Sequence, residues 1–250
     1  MDIEKKAKRR KLLGKIIFWL ALASFVWSII YVIWVLAKWP DGDATVTYRG
    51  RYRSDYVLMI AQCMLGIIVM FLPNMVARKF NIVVPSGLMI MYIVFLYCSI
   101  YLGEVESYYY KVKHWDVILH FFSAVMLGCL GFSFVSILNK EEKVFMNMSP
   151  MFVTLFAFCF AVTLGAIWEI YEFSFDGILG LNMQKFILSD GTVLVGRAAL
   201  KDTMKDIIVD SAGAFLACTI GYISIKRKDK RFNNLLLKKK KDIENSEISE

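Results

Sequence analysis

Six apolar blocks separated by polar stretches run along this chain: Ile16 to Ala37, Tyr56 to Val76, Ile82 to Leu102, Trp115 to Leu138, Met151 to Phe175 and Lys205 to Ile225. A helix that crosses a bilayer needs about 20 predominantly apolar residues, and each block is near that length. The pattern predicts an all-α fold, a polytopic membrane helical bundle of about six transmembrane helices. A transmembrane barrel would need alternating segments of about 10 residues, which the chain lacks. The expected organisation is a basic N-terminus over 1–15, a transmembrane domain over 16–225 and a tail over 226–250 that is first basic and then acidic.

The connecting segments add detail. The first block is too long for a signal-peptide core and no small-x-small cleavage pattern follows it, so it reads as a retained helix. Alternation in TVTYRGRYR, in the 38–54 loop, suggests a short hairpin. Pro73 falls in the last turns of the second helix, where a kink is tolerable. Pro150 suits the first turn of the fifth. Tyr108, Tyr109, Tyr110 and Trp115 read as an interfacial aromatic belt, and His114 as exposed. The 176–205 stretch contains Gly177, Gly180, Gly191 and Gly196, is rich in turns, and is long enough to cover a site as a lid.

Composition supports the membrane reading: 58% of the 250 residues are hydrophobic and the mean hydropathy is +0.53. In a soluble protein the net charge of +8 would suggest nucleic acid. Here Lys and Arg gather on one side of the predicted membrane, and no nucleic-acid partner is expected. With six helices and both termini cytoplasmic, the inner segments carry twice as many Lys and Arg as the outer loops. The terminal tails are expected to meet anionic lipid, or to be disordered at the C-terminus. The expected location is the bacterial cytoplasmic (inner) membrane. The five cysteines lie in apolar runs without redox or metal spacing and read as packing residues.

This topology brings the polar residues of the blocks to one depth. Asp116 and His120 open the fourth helix, Glu169 and Glu172 close the fifth, and Asp202, Asp206 and Asp210 open the sixth. Glu104 ends the third on the same side. The intramembrane members also continue stripes of small residues: Ala124, Gly128 and Gly131 after His120; Ala157, Ala161 and Gly165 before Glu169; Gly213, Ala217 and Gly221 after Asp210. Such stripes mark faces where membrane helices approach closely. The acids are therefore expected to point into the bundle, where their charge must be offset by a cation, shared protons or water.

Oxygen ligands with one imidazole suit Zn²⁺, Mg²⁺ or Mn²⁺. The expected metal set is Asp116, His120, Glu169, Asp206 and Asp210, with Glu104 and Asp202 nearby. Glu169 or Glu172 is the candidate catalytic base, and Arg197 and Lys201 are candidates to bind a substrate phosphate. A salt-bridged polar knot that only fixes helix packing is the bland reading of the same residues.

The residues Gly103, Glu104, Trp115, Asp116, His120, Trp168, Glu169, Glu172, Asp202, Thr203, Asp206 and Asp210 resemble the pattern of the YjdF-like family of bacterial inner-membrane proteins over about residues 80–225. A looser similarity links the layout to VanZ-like proteins, although Asp210 stands where that group would have Asn. The first resemblance implies no known reaction, and the second at most an envelope role. Three functions follow from the residues. The first is a metal-dependent hydrolase or transferase acting on a lipid headgroup or lipid-linked phosphate. The second is a non-catalytic envelope protein binding lipid or a partner. The third is a cation- or proton-coupled transporter, against which stands the lack of matching polar residues in the inner halves of the helices.

Overall fold

The computed structural model describes residues 2–39, 47–48, 50–139, 148–188, 190–229 and 236–239. Its helices are α1 (Asp2–Ala37), α2 (Arg53–Phe80), α3 (Ser86–Leu96), α4 (Tyr108–Lys111), α5 (Trp115–Asn139), α6 (Pro150–Leu179) and α7 (Lys201–Lys226), and α3 continues as a π-helix over Tyr97–Val105. Six of these are long and apolar enough to span a membrane, α3 together with its π-helical extension counting as one. The all-α polytopic bundle is therefore observed.

Several boundaries differ from the sequence expectation, each for a physical reason. The basic start is helical from Asp2, since Lys, Arg, Leu and Ala are strong helix formers. The third span begins at Ser86 rather than Ile82. Asn81 caps α2 in the left-handed conformation, Pro85 precedes α3, and the β-branched pair Ile82–Val83 between them forms strand β1. Pro73 lies inside α2 without ending it. Pro150 opens α6, where the Ser149 side chain accepts the Phe152 N–H. Of the expected hairpin, an isolated bridge between Tyr48 and Arg51 is observed; residues 40–46 and 49 of that loop, like the Lys- and Glu-rich 140–147 stretch, lie outside the described residues.

The helices form two groups of three. In the first, α1, α2 and α3 enclose a core that includes Phe25, Cys63, Met70 and Ile93. In the second, α5, α6 and α7 meet along the small-residue stripes, with Ala124, Ala161 and Ala214 buried together. Contact there is close enough that a Cβ on Gly131 would lie 2.8 Å from the Ala157 Cα, so the stripe is a backbone-to-backbone seam. The groups are joined by stacking of Phe95 on Phe122, by Trp115 Nε1–H donating to the Cys98 carbonyl at 3.3 Å, and by Leu58 packing with Leu181 and Met183.

The tail requires a correction. Residues 236–239, read as part of a tail on lipid or disordered, are packed on the bundle instead. Strand β2 (Lys238–Lys239) pairs antiparallel with β1, and Leu236 and Leu237 are buried. The Leu237 N–H donates to Ser133 Oγ at 3.1 Å. Two adjacent leucines gain more from burial than a hydrated tail offers, and the strand pairing satisfies the backbone that follows them. The remaining tail residues beyond 229 lie outside the described set.

Candidate functional site

Asp116 and His120, one turn apart at the start of α5, face the start of α7. The His120 ring bridges two carboxylates, with Nδ1 3.3 Å from Asp210 Oδ1 and Nε2 3.8 Å from Asp116 Oδ1. Asp116, His120 and Asp206 each present one ligand atom, and these atoms all lie within 4.8 Å of one another. Asp206, distant in sequence, joins Asp116 and His120 because α5 and α7 start at the same end of the bundle and their small-residue stripes bring the helices together.

Asp206, Asp210 and Glu169 are almost fully enclosed, at 2%, 4% and 4% exposure. Glu169 is the unusual one. Both of its carboxylate oxygens are buried without a hydrogen-bond partner, and Asp206 Oδ1 lacks one as well. The nearest cation to Asp206 is the Lys205 Nζ at 3.8 Å. A buried carboxylate left without partners is costly. Glu172, one turn beyond Glu169, is satisfied on one oxygen by the Trp168 Nε1–H at 2.9 Å. Trp168 is 43% exposed, as suits an aromatic at a membrane interface.

Lys185 is the residue that sequence reading missed. Its Nζ lies 2.5 Å from Asp116 Oδ2 and 3.6 Å from Asp202 Oδ2, and 4.9 Å from the Tyr109 ring centre. Burial works against its charge, but Asp116 and Asp202 outweigh it and hold the ammonium above its ordinary pKa. The loop that carries it is braced. Asp176, near the end of α6, accepts the backbone N–H groups of Met183 and Gln184 at 2.7 and 2.9 Å, and Gln184 Nε2 donates to Thr203 Oγ1 at 2.7 Å. Lys185 itself sits at φ +51°, a left-handed conformation uncommon for a residue with a Cβ. The stretch between α6 and α7 thus delivers a cation into the site. Arg197 and Lys201 are exposed and form no ion pair with the cluster among the described residues.

Arg51 was also missed. Its guanidinium donates to the carbonyls of Glu104 and Val105 and to Ser107 Oγ, which fixes the end of the π-helix. Of the three tyrosines assigned to an outer belt, Tyr109 turns inward, its ring packed on Gly103. Burial first, then Asp116 and Glu104, push its phenol well above the ordinary value. Tyr110 remains 57% exposed, and His114 is exposed as expected.

A cavity of about 900 Å³ opens below the cluster. At the site end it is lined by Arg51, Glu104, Asp116, His120, Glu172 and Lys185. It then descends between α2 and α3 on one side and α5 on the other, past Leu65, Val69, Leu72, Tyr92, Met126 and Leu130, to Ile82 and Leu237. Asp206 and Glu169 lie outside this lining. The cysteines are all free, as expected from their spacing.

Comparison with known proteins bears on the family. A protein of Thermotoga maritima titled "Uncharacterized protein" is 34% identical over 132 residues, and the match takes in 52% of this chain and 58% of that one. The chain therefore matches little more than half of that relative's length. No solved structure matches the chain. A family model described as "Predicted membrane protein (DUF2238)" matches residues 14–227, nearly the whole bundle. The resemblance carried by the Asp116–His120, Trp168–Glu172 and Asp202–Asp210 motifs points the same way: the chain belongs to the DUF2238 family of membrane proteins, the family called YjdF-like above.

Proposed function

We propose that the cluster binds a divalent cation and that the protein is a metal-dependent hydrolase or transferase acting on a phosphate carried by a lipid. On the Lys and Arg distribution, the site lies at the outer side of the bacterial cytoplasmic membrane. The observation that carries the reading is Glu169, whose buried carboxylate has no partner in a cluster already crowded with acids. Asp116, Asp202, Asp206, Asp210, Glu169 and Glu172 outnumber Lys185, Lys205 and even a protonated His120. A divalent cation would offset that excess.

The geometry suggests distinct roles. With the Nδ1–H of His120 turned to Asp210 at 3.3 Å, Nε2 would be free to hold a metal together with Asp116 and Asp206, in the carboxylate–histidine–metal arrangement. Glu169 completes or orients that set. Two or three oxygens with one imidazole accept Zn²⁺, Mn²⁺ or Mg²⁺. The bound ion would polarise a phosphoryl oxygen. Glu172, which lines the cavity, is then the better placed of the two candidate bases to take a proton from the attacking water. Lys185 would hold the phosphate from the opposite side, with Arg197 and Lys201 on the approach to it.

A second reading has its own observation. Lys185 already pairs with Asp116 and Asp202, as a purely structural network requires. Elemental mass spectrometry of the purified protein separates the two, with His120→Ala and Glu169→Gln alongside. About one equivalent of divalent metal per chain, lost in both variants while the helical fold is kept, is the expected result. No metal under any loading condition would sink the metal reading and leave a salt-bridged knot, in a protein that binds lipid or a partner without catalysis. Cation or proton flux in liposomes would instead favour a transporter.

A further inference from the structure

We infer that the cavity below the cluster holds the chain of a single-chain lipid phosphate longer than one leaflet, with its phosphate at the Lys185 end; the polyprenyl phosphates are the class with that chemistry. The inference rests on the site reading above and names its substrate class.

Length carries the argument. On α2 the cavity wall runs from Asp55 to Val76, about 32 Å at 1.5 Å per residue. That matches the whole hydrocarbon thickness of about 30 Å, whereas an ordinary acyl chain fills one leaflet, about half of it. The walls along this path are mainly aliphatic, with Leu65, Val69 and Leu72 facing Leu119, Met126 and Leu130. The polar side chains along the way are Gln62, Tyr92, Ser99 and Ser123, and the three hydroxyls are used internally, each donating to a backbone carbonyl, Tyr92 to Val69 at 2.8 Å, Ser99 to Leu96 at 3.3 Å and Ser123 to His120 at 2.8 Å. The far end meets Ile82 and Leu237, which the β1–β2 pairing holds in place. A chain entering from the site would meet these residues at its far end.

Charge complementarity fixes the direction. Arg51, Lys111 and Lys185 all line the site end, and among the described residues no Lys or Arg lines the deep part. The same end carries Asp116, His120 and Glu172, so a phosphate held by Lys185 would lie beside the candidate cation site. A soluble phosphate compound would use only this mouth and leave the deep aliphatic channel empty.

The test is binding to the full-length protein in detergent, followed by native mass spectrometry, with polyprenyl phosphate, farnesyl phosphate, polyprenol and dioleoyl phosphatidic acid as probes. Each is run with divalent cation and with chelator. The expected result is that polyprenyl phosphate binds at least about tenfold more tightly than each of the others. Met126→Trp, which fills the cavity in mid-course, should erase the advantage over farnesyl phosphate, and Ile170→Trp on the exposed face of α6 should not. Leu72→Trp makes the same test from the opposite wall if Met126→Trp does not fold. Equal binding of farnesyl phosphate or phosphatidic acid overturns the long-chain assignment, and equal binding of polyprenol overturns the phosphate. Bound metal without a chain-length preference removes this inference and keeps the cation site. A chain-length preference without bound metal does the reverse.

Discussion

Gly165 and Asp210 share the space that one methyl group would fill: a Cβ added to Gly165 would lie 2.5 Å from Asp210 Oδ2. Asp210 is also the residue that faces His120 Nδ1 at 3.3 Å. The absent side chain on α6 thus sets where the α7 carboxylate sits, and through it the orientation of the α5 imidazole. Gly165→Ala should push Asp210 aside and destabilise the protein by about 1–3 kcal/mol. It should also weaken divalent-cation binding about 10–100-fold, the usual effect of disturbing a group that orients a metal-ligating histidine. Metal titration and thermal unfolding in detergent measure both. Unchanged cation affinity would disconnect Asp210 from the site.

Lys185→Met should leave Asp116 and Asp202 facing one another without their shared ammonium. Lys185 is 24% exposed, so the expected cost, about 1–3 kcal/mol, lies below that of breaking a fully buried pair. Divalent cation should restore more stability to this variant than to the wild type. A variant as stable as the wild type in chelator would contradict the pairing.

The pH dependence of that pair follows from its sign. The Lys185 pKa is raised in the folded protein, so its contribution is complete below the unfolded value of about 10.4 and fades only as pH climbs through the folded value. The stability difference between wild type and Lys185→Met should therefore be flat on the alkaline side of neutrality up to about pH 9. A difference that collapsed between about pH 7 and 9 would mean that the lysine is not held as described.

Leu237→Asp should release the tail. Leu237 is 9% exposed and lines the foot of the cavity with Ile82, so a carboxylate there would be buried against apolar surface, at a cost of about 2–4 kcal/mol unless the segment undocks. Limited proteolysis should then cut after the Lys238–Lys239 pair faster than in wild type. Ser133→Ala, which removes the acceptor for the Leu237 N–H and the hydroxyl that donates to the Cys129 carbonyl, should cost about 1 kcal/mol and leave the tail docked. Equal protease resistance in Leu237→Asp would argue that the segment is held by something other than its leucines.

Much of the bundle was legible because membrane helices announce themselves by block length, and because alternating direction places the starts of α5 and α7 at the same end as the close of α6. Small residues in steps of three and four then gave the facing sides, and Asp206, Asp210 and Glu169 are buried as that argument requires. Lys185 and Arg51 escaped it. Both lie in irregular segments without periodicity, and the partners that draw them to the site are remote, Asp116 lying 69 residues from Lys185 and the Glu104–Ser107 segment 53–56 residues from Arg51. Arg197 and Lys201 lie nearer in sequence to the α7 acids, but the braced turn at Asp176 brings Lys185 into the cluster instead. The tail strand was hidden for a different reason. Its pairing residues are lysines, whose composition suggests a solvated or lipid-bound segment, while only the two leucines before them mark a docking point.

The β1–β2 pairing also dictates an order of manufacture. Ile82 and Lys239 are register partners, yet all of α3 to α7 is synthesised between them. The turn after the second span must wait, unpaired, until the last span has been inserted and the residues following it have been released. Closing a loop of that length adds little equilibrium cost, since the entropy grows only logarithmically, but it makes the contact one of the last to form. The foot of the cavity, lined by Ile82 and Leu237, is therefore completed only after every span has been made and the Leu237 segment has followed them out.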